Sequence, residues 1–141
     1  MIKVRKATAD DENAVVEILK EVDIYYKALE FKGFWVAEEN GGVLGCARLE
    51  KFPDFFYLSC VATAPSRARS GVARAILTTL LKGLKKDVYL YTIMPDLFKK
   101  FGFRAAEPAR GMPTKERYEC EACHPERCVT MVRRANDTRI S

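Results

Sequence analysis

One histidine, no apolar run of membrane-spanning length and no repeated segment occur in the 141 residues. Each scarcity removes a class of protein. No stretch approaches the ~20 consecutive apolar residues of a transmembrane helix, so no membrane partner is expected. The opening MIKVRKATADDENAVV carries basic residues with no apolar run behind them. It predicts no secretory signal and a cytoplasmic setting, where the five cysteines remain thiols. The lone histidine, His124, is far in sequence from Cys60, which argues against a covalent Cys–His nucleophile. The net charge of +5 suits an anionic ligand or nucleic acid without requiring either. No aromatic stripe interleaves with Lys and Arg, so nucleic-acid binding is the least favoured reading.

What is present describes one domain with a sizeable core: 48% apolar and 30% charged residues, the balance of a globular protein. Ile2 to Ala7 alternates as a strand. Thr8 and Asp11 approximate a capping box, and Val15, Ile18, Leu19, Val22, Tyr25, Tyr26 and Leu29 continue at helical spacing through Glu30, with Gly33 closing the segment. Phe34 to Glu38 and Val43 to Lys51 read as strands joined through Asn40-Gly41-Gly42, a hairpin signal. Further strands are expected at Phe55 to Thr63, Val88 to Ile93, Phe103 to Glu107 and Cys128 to Arg134, with a short helix from Asp96 to Phe101 behind Pro95. Residues 1–134 thus form the domain, and 135–141 a polar tail.

The chain is organised around Tyr57 to Lys86. A nearly continuous apolar strand, the pattern of one covered on both faces, runs into a Pro-opened basic loop. An amphipathic helix follows, with Val72, Ile76, Leu80 and Leu84 in one stripe. At such a strand-to-helix junction free N–H groups and the helix dipole point outward, a seat for phosphate. The loop Ala68-Arg69-Ser70-Gly71-Val72-Ala73 resembles the cofactor loop of the GCN5-related N-acetyltransferases, Arg/Gln-x-x-Gly-x-Gly/Ala. Gly71 and Ala73 fit, whereas Ala68 stands where the family carries Arg or Gln. The run Leu97-Phe98-Lys99-Lys100-Phe101-Gly102-Phe103 resembles the family's second hallmark, an aromatic-rich helix closing on Gly-Phe. The element order β, α, β, β, β, α, β, α, β, β matches over nearly the whole length. It implies an α/β (α+β) fold: a mixed sheet of about seven strands, flanking helices and splayed central strands.

The resemblance implies acetyl-CoA as co-substrate. Its pantetheine arm would pair with the backbone of Val61, Ala62 and Thr63, and its diphosphate would sit on the N–H groups from Arg69 to Ala73, with the Ser70 hydroxyl in reach. Ala68 removes one side-chain contact, for which Arg67 or Arg69 can substitute. The implied reaction is direct attack of a neutral amine on the thioester in a ternary complex, the oxygen polarised by a strand N–H. Many relatives place a Glu base where this chain has Tyr57, and a Tyr acid where it has Phe98. The missing carboxylate favours an α-amino acceptor, whose proton leaves at ~8 against ~10.4 for lysine. Glu50 and Tyr57 are the candidate catalytic residues, with Asp54, Tyr89 and Tyr91 behind them.

Cys120, Cys123 and Cys128 form a cysteine-rich hairpin signal with His124 between. Zinc is one reading, but adjacent Cys123 and His124 serve one tetrahedral ion poorly, and reduced packing thiols are the expectation. The pattern from Gly102-Phe103-Arg104 through Met112-Pro113 to Cys128 and Met131 is similar to short N-acetylglutamate synthase-type enzymes. It implies a small-molecule amine partner, a free amino acid such as glutamate above others. The alternatives are a protein N-terminal or lysine acetyltransferase, or a degenerate CoA-binding sensor; such folds often pair as homodimers.

Overall fold

The computed structural model describes residues 1–113 and 128–135. Its elements are β1 (Lys3–Lys6), α1 (Glu12–Glu21), β2 (Phe34–Glu39), β3 (Gly42–Lys51), β4 (Phe55–Thr63), α2 (Val72–Leu81), β5 (Asp87–Thr92), α3 (Pro95–Lys99), β6 (Arg104–Ala105) and β7 (Val129–Arg133). The strands form one seven-stranded sheet in the order β1-β2-β3-β4-β5-β7-β6. Every neighbouring pair is antiparallel except β4 and β5, which run parallel. A parallel pair needs a crossover, and α2 supplies it. The mixed sheet of about seven strands that the resemblance implies is the one observed.

The β2–β3 turn shows how local chemistry sets register. Asn40 and Gly41 both take positive φ, 54° and 82°, the type I′ geometry that joins two right-twisted strands.

The long first helix is a correction. The apolar spacing predicts helix through Glu30, but α1 stops at Glu21. Asp23 adopts φ 61°; its N–H donates to Lys20 O at 3.2 Å, and that of Ile24 reaches back to Leu19 O at 2.9 Å. This is a Schellman stop built on aspartate in place of the usual glycine. Tyr25, Tyr26 and Leu29 therefore pack from an irregular segment. Gly33 does not end a helix: it leads into β2 at φ +79°, where an added Cβ would lie 2.8 Å from Leu49 O. The central helix is also shorter than its stripe. It ends at Leu81, and Gly83 turns the chain at φ 75°, while Leu84 still packs against the core.

Two apolar layers cover the sheet. On one face Val72, Ile76, Leu77, Leu80 and Leu81 of α2 pack with Ala47, Leu58, Val88, Leu90, Phe98, Phe103 and Met131. Each fully buried aliphatic side chain there contributes about 2 kcal/mol. On the other face α1 places Val15, Ile18 and Leu19 over Phe34, Val36, Cys46 and Ala62. Beyond the reach of α1, the same face carries Phe55, Tyr57 and Met112 with Tyr89 and Tyr91 against them.

The entry to α1 is pinned electrostatically. Asp11 accepts bonds from Arg5 Nη1 (2.8 Å) and Nη2 (3.0 Å) and from the Thr8 N–H (2.7 Å). The Arg5 guanidinium, helped by Thr8, lowers the Asp11 carboxyl to about 2. The folded value lies below the ordinary one, so this stabilisation is complete above about pH 4 and is lost as pH falls toward 2. Asp11→Ala should cost about 2 kcal/mol at neutral pH. Thermal melts should then show a gap between wild type and variant that closes between pH 4 and pH 2.

Candidate active site

The sheet opens at its centre. β4 pairs with β5 only through Phe55↔Asp87, Phe56↔Val88 and Tyr57↔Tyr89. From Leu58 onward β4 leaves β5, which continues alongside β7 from Leu90 to Thr92. The parting coincides with a β-bulge. Arg48 faces Ser59 and Cys46 faces Ala62, so Cys60 and Val61 together oppose Ala47, and Cys60 takes φ 55°. A bulge bends its strand and raises the local twist, which turns β4 away from its neighbour.

The bulge also decides which peptide groups face the gap. Ala64 N–H donates to Leu44 O at 2.7 Å, and antiparallel partners alternate between bonded and non-bonded pairs. Ala62, two residues back, therefore turns its peptide groups toward β3, while Val61 and Thr63 turn theirs toward the opening. Cys46, buried opposite Ala62, gives its thiol to Cys60 O at 3.5 Å. Burial pushes that thiol far up, so it serves packing.

The loop after β4 ends at the mouth of the gap. Arg67 N–H bonds Ala64 O, Ala68 N–H bonds Pro65 O and Ser70 N–H bonds Arg67 O at 3.2 Å. The Ser70 hydroxyl also donates to Arg67 O, at 2.5 Å. By contrast, the N–H groups of Arg69, Gly71, Val72 and Ala73 have no acceptor among the described residues. Ala68 to Gly71 are exposed, and a Cβ at Gly71, φ +87°, would meet nothing within 4 Å. Unused donors at the positive end of a helix are the arrangement that takes an anion, and the start of α2 offers it. Arg67 is committed elsewhere, bonding Glu39 at 2.9 Å and tying the loop to the β2–β3 hairpin.

Of the side chains singled out for acid–base work, the structure brings Glu50 and Tyr57 face to face as register partners. Tyr57 is 1% exposed, its ring edge-on to Tyr91 at 5.9 Å. Tyr91 donates its hydroxyl to Pro113 O at 2.6 Å. Asp54 is exposed in the turn before β4. Phe98 is buried on the α2 face against Phe103, a packing residue away from Tyr57. Cys120, Cys123 and His124 lie outside the described residues; Cys128 is half-buried just before β7.

Sequence reasoning passed over two neighbours of this site. Arg48, 5% exposed, donates from Nε to Lys32 O at 2.7 Å and pairs through Nη1 with Glu50 at 3.1 Å. Ser59, its register partner, has a buried hydroxyl with no hydrogen-bond partner among the described residues. The available signal was an arginine of the same parity as Cys46, directly after the run Val43 to Ala47.

Residues 30–105 match the acetyltransferase (GNAT) domain family. No curated protein sequence matches the chain. Among solved structures, N-acetylglutamate synthase from Neisseria gonorrhoeae, complexed with coenzyme A and L-arginine, superposes with a TM-score of 0.73 at 18% identity. The match covers 96% of this chain and 34% of that one, so this chain spans about a third of the synthase. A Mycobacterium tuberculosis protein solved with CoA gives 0.73 at 20% identity, covering 94% and 98%. The ribosomal-protein-S18-alanine N-acetyltransferase of Escherichia coli gives 0.69 at 18%, covering 98% and 96%. At these identities the superpositions speak for the fold, and the domain match, over more than half the chain, speaks for the family. The chain belongs to the GNAT acetyltransferases.

Proposed function

We propose that this protein transfers the acetyl group of acetyl-CoA to the amine of a small acceptor, a free amino acid such as glutamate above others. The observation that carries the reading is the parting of β4 from β5 beside an anion seat of unused N–H groups. The diphosphate would rest on Arg69, Gly71, Val72 and Ala73. The pantetheine arm would continue the sheet along Val61 and Thr63, as an added strand does. Ser70 orders the loop from within and would have to release Arg67 O to donate to phosphate. The members of the fold solved with CoA support this reading.

In the proposed reaction the amine nitrogen bonds to the thioester carbon, the C–S bond breaks and CoA leaves as a thiolate. The thiolate then takes a proton from water, at little cost since a thiol titrates near ~8.5. The gap-facing N–H of Val61 is placed to polarise the carbonyl oxygen. Glu50, opposite Tyr57, is our assignment for the group that accepts the amine proton, directly or through a water.

The test is CoA-thiol release with purified protein, acetyl-CoA and a panel of free amino acids, dipeptides and lysine peptides. Turnover of one amino acid at least about tenfold above the rest is expected, with the rate rising with pH and levelling near ~8. A rise continuing past pH 10 on lysine peptides alone would move the assignment to a protein acceptor. Acetyl-CoA binding without transfer to any amine would make the protein a sensor.

A further inference from the structure

Arg48 and Ser59 stand on the face of the sheet shared with Tyr57, between the last β4–β5 pair and the bulge. Side chains directly opposite on antiparallel strands have Cβ atoms about 5 Å apart, so the two side chains leave the sheet side by side. Neither is fully used by the fold. Among the described residues no acceptor is seen for the Nη2 group of Arg48, whose Nε and Nη1 are used on Lys32 O and Glu50. The buried hydroxyl of Ser59 has no partner among the described residues. A buried hydroxyl left unbonded costs about 1–3 kcal/mol. That cost is recovered when a ligand supplies the missing partner.

Resting on the transfer reading above, we infer that Arg48 and Ser59 form the acceptor subsite that receives a carboxylate, so the acceptor is an α-amino acid with its carboxyl group free. The Nη2 group of Arg48 keeps charged N–H donors for a carboxylate, and the Ser59 hydroxyl adds another from the facing strand. Glu50 lies two residues along β3 on the same face. Arg48 and Glu50 thus offer opposite charges in sequence, the pattern a zwitterion carries. A protein N-terminus has an amide in place of that carboxylate and would leave Arg48 without a partner. The bond from Arg48 Nε to Lys32 O also docks the segment before β2 against this spot, walling it from solvent.

The experiment compares an accepted amino acid with its α-amide, using wild type, Ser59→Ala and Arg48→Gln, with melting temperature and acetyl-CoA affinity measured for each. Wild type should use the amide at least about 100-fold less efficiently by kcat/KM. Ser59→Ala removes a hydroxyl that has no partner among the described residues, so it should melt above wild type. It should raise KM for the acid about tenfold and leave the amide unchanged. Arg48→Gln should erase most of the acid–amide difference; a purely structural arginine would depress both substrates alike. If acid and amide are used within about threefold of each other, the subsite is overturned while the transferase reading stands. If neither is acetylated although acetyl-CoA binds, both fall.

Discussion

Gly71→Asp is expected to weaken acetyl-CoA binding by about 100-fold or more in titration calorimetry. The fold has room for the side chain, since nothing lies within 4 Å of a Cβ there. Steric clash is therefore not the cause. Two other effects are. At φ +87° an L-residue pays about 1 kcal/mol that glycine does not. A carboxylate about 4 Å from a diphosphate adds repulsion on the order of 4 kcal/mol at an effective dielectric of 20, and each 1.4 kcal/mol is a factor of about ten. Gly71→Asn separates the two: it has nearly the same shape, tolerates the left-handed conformation better and carries no charge. It should bind within about tenfold of wild type. Equal losses for Asp and Asn would mean that no diphosphate sits at this loop.

Gly45→Val should cost at least about 3 kcal/mol in urea denaturation, enough to leave much of the protein unfolded at 37 °C. A Cβ at Gly45 would lie 2.7 Å from Ala62 O, 2.7 Å from Val72 Cγ1 and 3.4 Å from Ile76 Cδ1. The first of these is backbone of β4 beside the bulge, and it cannot yield without disturbing the strand that borders the opening. The second belongs to the first residue of α2, so relief there displaces the helix whose N-terminus carries the anion seat. Glycine at 45 is thus what lets helix and sheet approach closely enough to bring the seat to the gap. Gly45→Ala should fall between, at about 2 kcal/mol, with weakened acetyl-CoA affinity in the folded fraction. A valine variant melting within 2 °C of wild type would contradict this close approach.

Much of the architecture was legible because its causes are local. The Asn40-Gly41 turn, the apolar strand from Phe55 to Thr63 and the stripe of α2 each follow from neighbours a few residues apart, and each is observed. The overextended first helix shows the limit of that logic. Asp23 supplies a left-handed stop usually made by glycine, and Val22 and Leu29 keep the helical spacing although only α1 is helical. Apolar spacing reports which side chains are buried, and a loop can bury them as well as a helix can.

The candidate site divides the same way. Gly71 and the donors around it were readable, because a strand-to-helix junction exposes N–H groups whatever the rest of the chain does. The order of elements likewise followed from the sequence, and the mixed sheet from the family resemblance which that order carries. Tertiary structure alone decided that β4 bulges at Cys60, that it leaves β5 after Tyr57, and that Arg48 meets Ser59 across the sheet with Glu50 opposite Tyr57. These are matters of register, and register is set by the sum of pairings along two strands and the layers packed on them. A single extra residue in β4 changes which groups face the opening, and no window of sequence short enough to read locally contains both strands.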